Sequence, residues 1–220
     1  MTTYTIKIYN QSNFNKSYVV FMEPPQVTSN GGQTPVYTNA WCTFPNLTNG
    51  GWDSVAYTQT TYAYWAHAPG VTAGVTIDSG GVMPVDTVTR DSTVFVYGEA
   101  SGQPTGFQPP FPGAAQNGSF EIITGTDFTT ANGLVFGMAS DNGGGIPAPI
   151  ATFAAAPNEK YNVTPMGAVF HVADGAYAEG EILDVTAISN NSAVVDFVGA
   201  SFTSATVTQA ADGVFTVKYR

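Results

Sequence analysis

Short segments in which apolar and polar residues alternate follow one another along almost the whole chain. In the segment 3–9, for example, Tyr4, Ile6 and Ile8 fall on one face and the residues between them on the other. Alternation with a period of two is typical of strands that bury one face. Clusters of Gly, Pro, Asn and Asp separate the segments by about 8–12 residues, as in sandwiches and barrels. The pattern therefore predicts an all-β protein.

The segments give a specific set of predicted strands. They are residues 3–9, 18–22, 40–44, 54–59, 61–67, 71–78, 85–90, 93–99, 119–124, 134–139, 150–153, 161–163, 167–172, 181–188, 193–198, 206–208 and 214–219. Helix signals are nearly absent, no linker divides the chain, and no repeat of fixed period is evident. The terminal segments TYTIKIYN and VFTVKYR share one pattern, which places both within the sheets. We predict that residues 1–220 form a single domain, an antiparallel β-sandwich or barrel.

Charge limits the classes of partner. The net charge is −10, and the six basic residues are scattered along the sequence. Nucleic-acid binding requires clustered Lys and Arg to displace counterions, so no nucleic-acid partner is expected. Anionic membrane surfaces are disfavoured for the same reason.

The distribution of apolar residues bears on the compartment. No run approaches the roughly 18 apolar residues of a transmembrane helix. The N-terminal residues MTTYTIKIYN lack the apolar region of a secretory signal. A cytoplasmic protein without a membrane partner is the resulting expectation.

Aromatic side chains concentrate in residues 37–67, which read YTNAWCTFPNLTNGGWDSVAYTQTTYAYWAH. This stretch holds all three tryptophans, four tyrosines and one of the two histidines. Flat rings with N–H and O–H groups suit a planar, partly polar organic ligand. The predicted ligand-binding residues are Trp41, Phe44, Trp52, Tyr57, Tyr62, Tyr64, Trp65 and His67. Aromatic rings also dominate ordinary cores, so simple core packing is the competing interpretation.

Catalytic and metal-binding signals are weak. Two distant histidines, His67 and His171, and the single Cys42 make a poor zinc set, and no calcium-loop spacing is present. Cys42 is expected to be a small buried hydrophobe. No nucleophile motif, phosphate-binding loop or dinucleotide fingerprint occurs. We therefore predict a protein that is not an enzyme and has no metal site.

The segments TYTIKIYNQSNFNKSYVVFMEPPQV, NAWCTFPNL and TYAYWAHAP resemble a fungal group of small cytoplasmic β-proteins, the pigment-binding chromoproteins of mushroom fruit bodies. The resemblance implies non-covalent binding of a small conjugated pigment, indolone-like or polyene, in a homodimer. Aromatic rings would enclose the pigment, and His67 at the rim would tune its absorption.

Two alternatives stay open. The first is a carbohydrate-binding, lectin-like β-sandwich, because aromatic platforms also stack on sugar rings. The second is a structural or toxin-like protein that assembles through sheet edges.

The Pro- and Gly-rich residues 100–117 are predicted to form an ordered surface loop or a lid that carries Phe107 and Phe111.

Overall fold

Alternating residues build strands, and hydrogen bonds join these strands into four sheets. The computed structural model describes residues 2–30, 32–98 and 102–220. The strands are β1 (Thr3–Asn10), β2 (Lys16–Met22), β3 (Gln26–Ser29), β4 (Gly32–Gln33), β5 (Tyr37–Thr38), β6 (Cys42–Leu47), β7 (Trp52–Thr58), β8 (Thr61–His67), β9 (Gly81–Val85), β10 (Ser92–Val96), β11 (Gly106–Phe107), β12 (Phe120–Thr124), β13 (Leu134–Ser140), β14 (Ala148–Ala154), β15 (Lys160–Thr164), β16 (Val169–Asp174), β17 (Ser192–Asp196), β18 (Ser204–Gln209) and β19 (Phe215–Tyr219). The described residues also include a short helix, α1 (Val185–Ile188), and 3₁₀ turns at Thr130–Asn132 and Ser189–Asn191. The prediction of an all-β fold is confirmed.

The four sheets pair into two lobes. In the terminal lobe, the sheet β19-β18-β1-β7 packs on the sheet β17-β16-β2-β6. Tyr57 and Phe170 meet between these sheets, with ring centroids 5.1 Å apart. In the central lobe, the sheet β11-β10-β12-β15-β3-β4 packs on the sheet β5-β14-β13-β8-β9. Phe95 and Phe136 meet there at 4.8 Å, and one buried cluster continues through both lobes.

The two lobes share one eight-strand topology. In the central lobe, β8 to β15 follow the order of the chain. In the terminal lobe, β16 to β19 supply the first four positions and β1, β2, β6 and β7 the last four. The parallel pair β10 and β12 corresponds to the parallel pair β18 and β1, and the other equivalent pairs are antiparallel in both lobes. The terminal lobe is thus closed by the pairing of the two ends of the chain.

A turn common to both lobes supports this equivalence. After β9, the Asp86 side chain accepts a hydrogen bond from the Val88 backbone N–H at 2.7 Å. After β17, Asp196 accepts one from the Val198 N–H at 2.8 Å. Each aspartate fixes its turn through a short local bond. The turns lie at the same position in the two topologies.

Segment 177–188 forms a further layer on the outer faces of two sheets. Leu183 and Ile188 pack with Phe21 on the terminal lobe, whereas Ile182 packs with Tyr64 on the central lobe. The Asp184 side chain caps α1 by accepting from the Ala187 N–H at 3.2 Å. These sheets are therefore covered on both faces.

The structure corrects several predicted strands. Residues 85–90 form a turn after Val85, because Asp86 binds the Val88 and Thr89 N–H groups and Arg90 has a positive φ of 58°. Residues 181–188 make only isolated bridges before α1 begins. Residues 71–78 contain turns and one bridge at Thr76 instead of a strand. At these positions the sequence alternates, but short-range side-chain hydrogen bonds and the packing of the segment on the sheets determine the backbone conformation.

Other differences concern missed strands and loops. The short strands β3, β4, β5 and β11 were not predicted, and of β9 only its last residue, Val85, fell within a predicted strand. The structure places β11 within the predicted loop 100–117 and pairs Phe111 with Ser92 in a bridge. Residues 100 and 101 of that loop, and residue 99 of the predicted strand 93–99, lie outside the described residues. Among the residues that are described, no helix is long and apolar enough to cross a membrane.

Candidate functional site

A cleft of about 530 Å³ opens between the lobes, where the chain passes from β7 to β8 and again from β15 to β16. We call it the junction cleft. Its lining residues are Tyr57, Gln59, Thr60, Thr61, Pro84, Val85, Asp86, Thr87, Val88, Asp91, Pro165, Gly167 and Ala168. The two crossings are equivalent positions in the eight-strand topology. The cleft is therefore built by the joining of the lobes and not by either lobe alone.

Tyr57 is the aromatic residue of the junction cleft. It is the last residue of β7 whose side chain faces inward, and only 9% of its surface is exposed. Its ring packs edge-on against Trp41, with centroids 5.8 Å apart, and against Phe170. Edge-to-face contacts of this kind stabilise and orient aromatic pairs. The ring of Tyr57 is thereby held in a fixed orientation at the wall of the cleft.

Trp41 anchors this wall to the central lobe. It is fully buried, and its indole Nε1–H donates to the Ser140 carbonyl at the end of β13, at 3.1 Å. The Trp41 carbonyl accepts from the Asn142 side-chain amide at 2.8 Å. A buried indole N–H requires such a partner. Trp41 therefore lies behind Tyr57 and connects the lobes.

The turn between β9 and β10 forms the acidic rim of the cleft. The Asp91 carboxylate accepts from the Asp86 N–H at 3.0 Å and from the Thr89 hydroxyl at 2.7 Å. Arg90 points to the other side and donates to the Gly113 carbonyl at 3.1 Å. Val88 projects from this turn with 88% of its surface exposed. The rim is rigid because its carboxylates already bind the turn.

Burial raises the pKa of three groups in the predicted aromatic stretch, Cys42, Tyr57 and Tyr64. Desolvation, with a smaller effect of nearby Tyr4, raises the pKa of Tyr57 to about 12. The phenol thus stays protonated and can donate a hydrogen bond at neutral pH. Desolvation, together with the charges of Glu179 and Asp53, raises the pKa of Cys42 to about 12. Cys42 is therefore a protonated, buried thiol, as its position in an apolar stretch indicated.

Trp65 and His67 lie at a different end of the molecule. The Trp65 ring covers the backbone of Gly80 and Gly81, where an added Cβ would come within 3.0 Å of the indole. It closes the central lobe between β9 and β11. His67 packs edge-on to Trp65 at 5.9 Å, and its Nδ1 contacts the Asn132 carbonyl at 3.1 Å. His67 is roughly 20 Å along β8 from Thr61 in the junction cleft.

Tyr62 and Tyr64 face the outer layer of the central lobe. Tyr64 is fully buried, and its hydroxyl is hydrogen-bonded to the Thr152 hydroxyl. Thr152 in turn donates to the Asn39 side chain at 2.7 Å, and Asn39 donates to the Gly180 carbonyl at 2.8 Å. This chain of bonds satisfies every polar group along it. Tyr64 thus contributes to a structural network.

The remaining predicted residues are in the terminal lobe. Phe44 is buried and lies opposite Tyr18 in the sheet. Trp52 is 56% exposed on the edge strand β7, with the Lys7 ammonium 3.7 Å from its ring centre. Of the eight predicted residues, Tyr57 alone lines the junction cleft, Trp41 lies behind it, and the other six lie elsewhere.

Most of the cleft could not be identified from the aromatic pattern. Its walls come from Pro84, Pro165 and the turn that follows Val85. The sequence did contain one signal for the turn that follows Val85: the pattern Asp-x-Val begins at Asp86 and recurs at Asp196, in the equivalent turn of the other lobe. Within the described part of the chain, no group of three or more His, Cys, Asp or Glu side chains could hold a metal ion.

Comparison with known proteins gives one match. Neither the curated proteins nor the solved structures include a significant match to this chain. The model of the RhiA family, in contrast, matches residues 1–220. Because this match spans the entire sequence, the chain belongs to the RhiA family.

Proposed function

We propose that this protein is a non-enzymatic chromoprotein that binds a small conjugated pigment in the junction cleft. The observation that carries the proposal is the volume of about 530 Å³ beside the fixed ring of Tyr57. Clefts that bind small organic molecules have volumes of about 300–1,000 Å³. The pigment would be indolone-like or a polyene, as in the pink chromoprotein of oyster mushrooms that the sequence resembles, and would colour fruit-body tissue.

The lining gives each part of such a pigment a partner. Pro84, Pro165 and Ala168 supply apolar contacts for a flat conjugated skeleton. The protonated phenol of Tyr57 can donate to a carbonyl oxygen of the pigment, since its pKa is about 12. Binding there would displace water and hold the skeleton planar. The polar groups at the rim would then adjust the absorption maximum, in the role that was predicted for His67.

A carbohydrate-binding function is the second candidate. Gln59, Thr60 and Thr61 line the cleft and could bind sugar hydroxyls. The Asp86 and Asp91 carboxylates, which are frequent sugar ligands, already accept hydrogen bonds from their own turn. This arrangement favours a pigment over a sugar.

The cellular setting is part of the proposal. We infer a cytoplasmic protein that needs no nucleic-acid or membrane partner. The edge strands β7 and β19 offer unpaired backbone groups through which a homodimer could form. Sedimentation of the purified protein would test the dimer.

Absorption spectroscopy tests the proposal directly. Protein isolated from the organism that makes it should carry a visible band that co-elutes with it during gel filtration. For recombinant protein, the neutral planar dye Nile red serves as the probe. Thr61→Trp, which fills the cleft, should weaken dye binding at least tenfold. Thr216→Trp, on the exposed side of β19, is the matched control and should bind as the wild type does. A colourless native protein and equal dye binding by both variants would contradict the proposal, and retention on a glycan array would favour the sugar.

A further inference from the structure

A second cavity lies where the two lobes differ most. Between β2 and β6 the chain leaves the terminal lobe, and β3, β4 and β5 add to the sheets of the central lobe. The equivalent connection, between β13 and β14, is a short turn at residues 141–147. This excursion, residues 23–41, thus interrupts the shared topology. Together with the central lobe it forms an open cavity of about 310 Å³, which we call the Glu159 cavity.

The Glu159 cavity contains an unsatisfied carboxylate. The Glu159 backbone is fixed, because its N–H donates to the Thr124 hydroxyl at 2.8 Å and its carbonyl accepts from the Thr124 N–H at 2.9 Å. Its side-chain Oε2 is buried and has no hydrogen-bond partner. The contacts between oppositely ionisable side chains among the described residues are the Lys16–Asp174 ion pair and the hydrogen bond between His171 and Glu23, and neither involves Glu159. A carboxylate oxygen that is removed from water without a partner is costly.

The neighbouring polar groups do not supply the missing donor. The Tyr161 hydroxyl is bound to the backbone of Ala156, with the Ala156 N–H donating at 2.7 Å. The Ser29 and Thr34 hydroxyls are hydrogen-bonded to each other at 3.0 Å. Glu159 is thus the one charged side chain of the cavity lining, and no ion pair among the described residues neutralises it. A cation from outside the chain would offset its charge.

The apolar part of the lining indicates what else that cation carries. Tyr37, which is 37% exposed, and Val71 line the same cavity as Glu159. An aromatic ring attracts a cation over its face, and a nearby alkyl group would pack on the valine. A carboxylate beside an aromatic ring and an aliphatic side chain is complementary to an alkylammonium ion. An anion would be repelled, and a neutral alcohol would lack the charge interaction.

We propose that the Glu159 cavity is a binding site for a small organic cation, a primary alkylammonium that donates to Glu159 and packs against Tyr37 and Val71. Because Oε2 is buried, the ammonium would donate to the other carboxylate oxygen, Oε1, from the cavity side. The site is separate from the junction cleft and does not depend on pigment binding. It uses the excursion 23–41, which has no counterpart in the other lobe.

Titration with three butyl compounds tests this site. Wild-type protein is titrated with n-butylammonium chloride, 1-butanol and sodium butyrate, and binding is followed by calorimetry and by the NMR signals of the Tyr37 ring. We expect saturable, one-to-one binding of butylammonium, at least tenfold tighter than butanol, and no binding of butyrate. Equal binding of butylammonium and butanol, or the absence of saturable binding, would overturn the proposal without any variant.

Variants localise the site. Glu159→Gln should lower the affinity for butylammonium at least tenfold, and Tyr37→Ala should lower it severalfold. Glu179→Gln, which removes an exposed carboxylate elsewhere, is the matched control and should bind as the wild type does. Unchanged affinity in Glu159→Gln would refute the assignment. Thr61→Trp, which fills the junction cleft, should leave butylammonium binding intact, so that failure of the pigment proposal is distinguishable from failure of this one.

Discussion

Alkaline pH should unfold this protein over a narrow interval, because four of its eleven tyrosines are buried with raised pKa values. They are Tyr18, Tyr57, Tyr64 and Tyr161. Desolvation is the largest cause in each, since the phenolate loses its hydration inside the core. For Tyr57 and Tyr161 the pKa rises from 10.0 to about 12.

The direction of the pH dependence follows from the unfolded state. Below pH 10 the phenol is protonated in both states, so the stabilising effect of its raised pKa is complete. Above pH 10 the unfolded chain releases its protons while the folded protein retains them, and the free energy of unfolding falls until the folded pKa is reached. A shift from 10.0 to about 12 corresponds to about 3 kcal/mol for Tyr57. The equal shifts of Tyr57 and Tyr161 together correspond to about 5–6 kcal/mol, which is comparable to the whole stability of a typical domain.

Urea unfolding at a series of pH values measures this loss, and the near-ultraviolet absorbance of tyrosinate follows ionisation in the same samples. We expect the buried tyrosines to ionise only when the far-ultraviolet circular dichroism of the sheets is lost. Tyr57→Phe should reduce the alkaline loss by about 3 kcal/mol relative to the wild type. Ionisation of all eleven tyrosines near pH 10 while the sheets remain intact would refute the reasoning.

Two substitutions in the central lobe test its packing. Gly137→Ala should destabilise the protein by about 3 kcal/mol in urea unfolding, because the added Cβ would overlap the Ala151 carbonyl oxygen and the Tyr64 ring. Gly70→Ala is its control: open space surrounds Gly70, so a loss similar to that of Gly137→Ala would contradict the steric explanation. Tyr64→Phe should lower the free energy of unfolding by about 1–2 kcal/mol in the same measurement, because Thr152 loses one of its buried hydrogen bonds. An unchanged free energy of unfolding would show that this bond is not formed.

Local alternation was sufficient to predict most strands but not the ends of several. The prediction for β8 matches its bounds, because both turns that flank Thr61–His67 have clear sequence signals. The prediction for residues 85–90 was wrong because Asp86 forms a local hydrogen-bonded turn within a segment that still alternates. β-propensity describes a half-buried surface, and side-chain capping of a turn can override it.

The candidate site depended on information that the sequence does not contain locally. Trp41 and Tyr57 were predicted as ligand residues, and Tyr57 lines the junction cleft with Trp41 packed behind it at 5.8 Å. The opposite wall, with Pro165 and Gly167, is more than a hundred positions away in the sequence. The packing of β16 against β7, where Phe170 meets Tyr57 at 5.1 Å, brings this wall to Tyr57. The clustering of aromatic residues in the sequence thus indicated one wall of the junction cleft, whereas the packing of distant strands determines the rest of it.

The shared topology of the lobes shows why no repeat is evident in the sequence. Val20 pairs with Val172 in the terminal lobe, and, counted from the equivalent turns at Asp196 and Asp86, the corresponding inward pair in the central lobe is Met138 with Ala63. One position further, on the outer face, the corresponding pairs are Val19 with Ala173 and Gly137 with Tyr64.

Each lobe divides volume differently between paired positions. In the terminal lobe, the paired Val19 and Ala173 are a medium-sized and a small side chain, and both are buried. In the central lobe, the Tyr64 ring lies across Gly137, so a large side chain requires the smallest one beside it. Backbone pairing is thus kept while side-chain volume is redistributed, since cores accept many combinations of equal total volume. The equivalence of the lobes is therefore retained in hydrogen-bond register and lost in residue identity, and it is visible only when strand pairing is known.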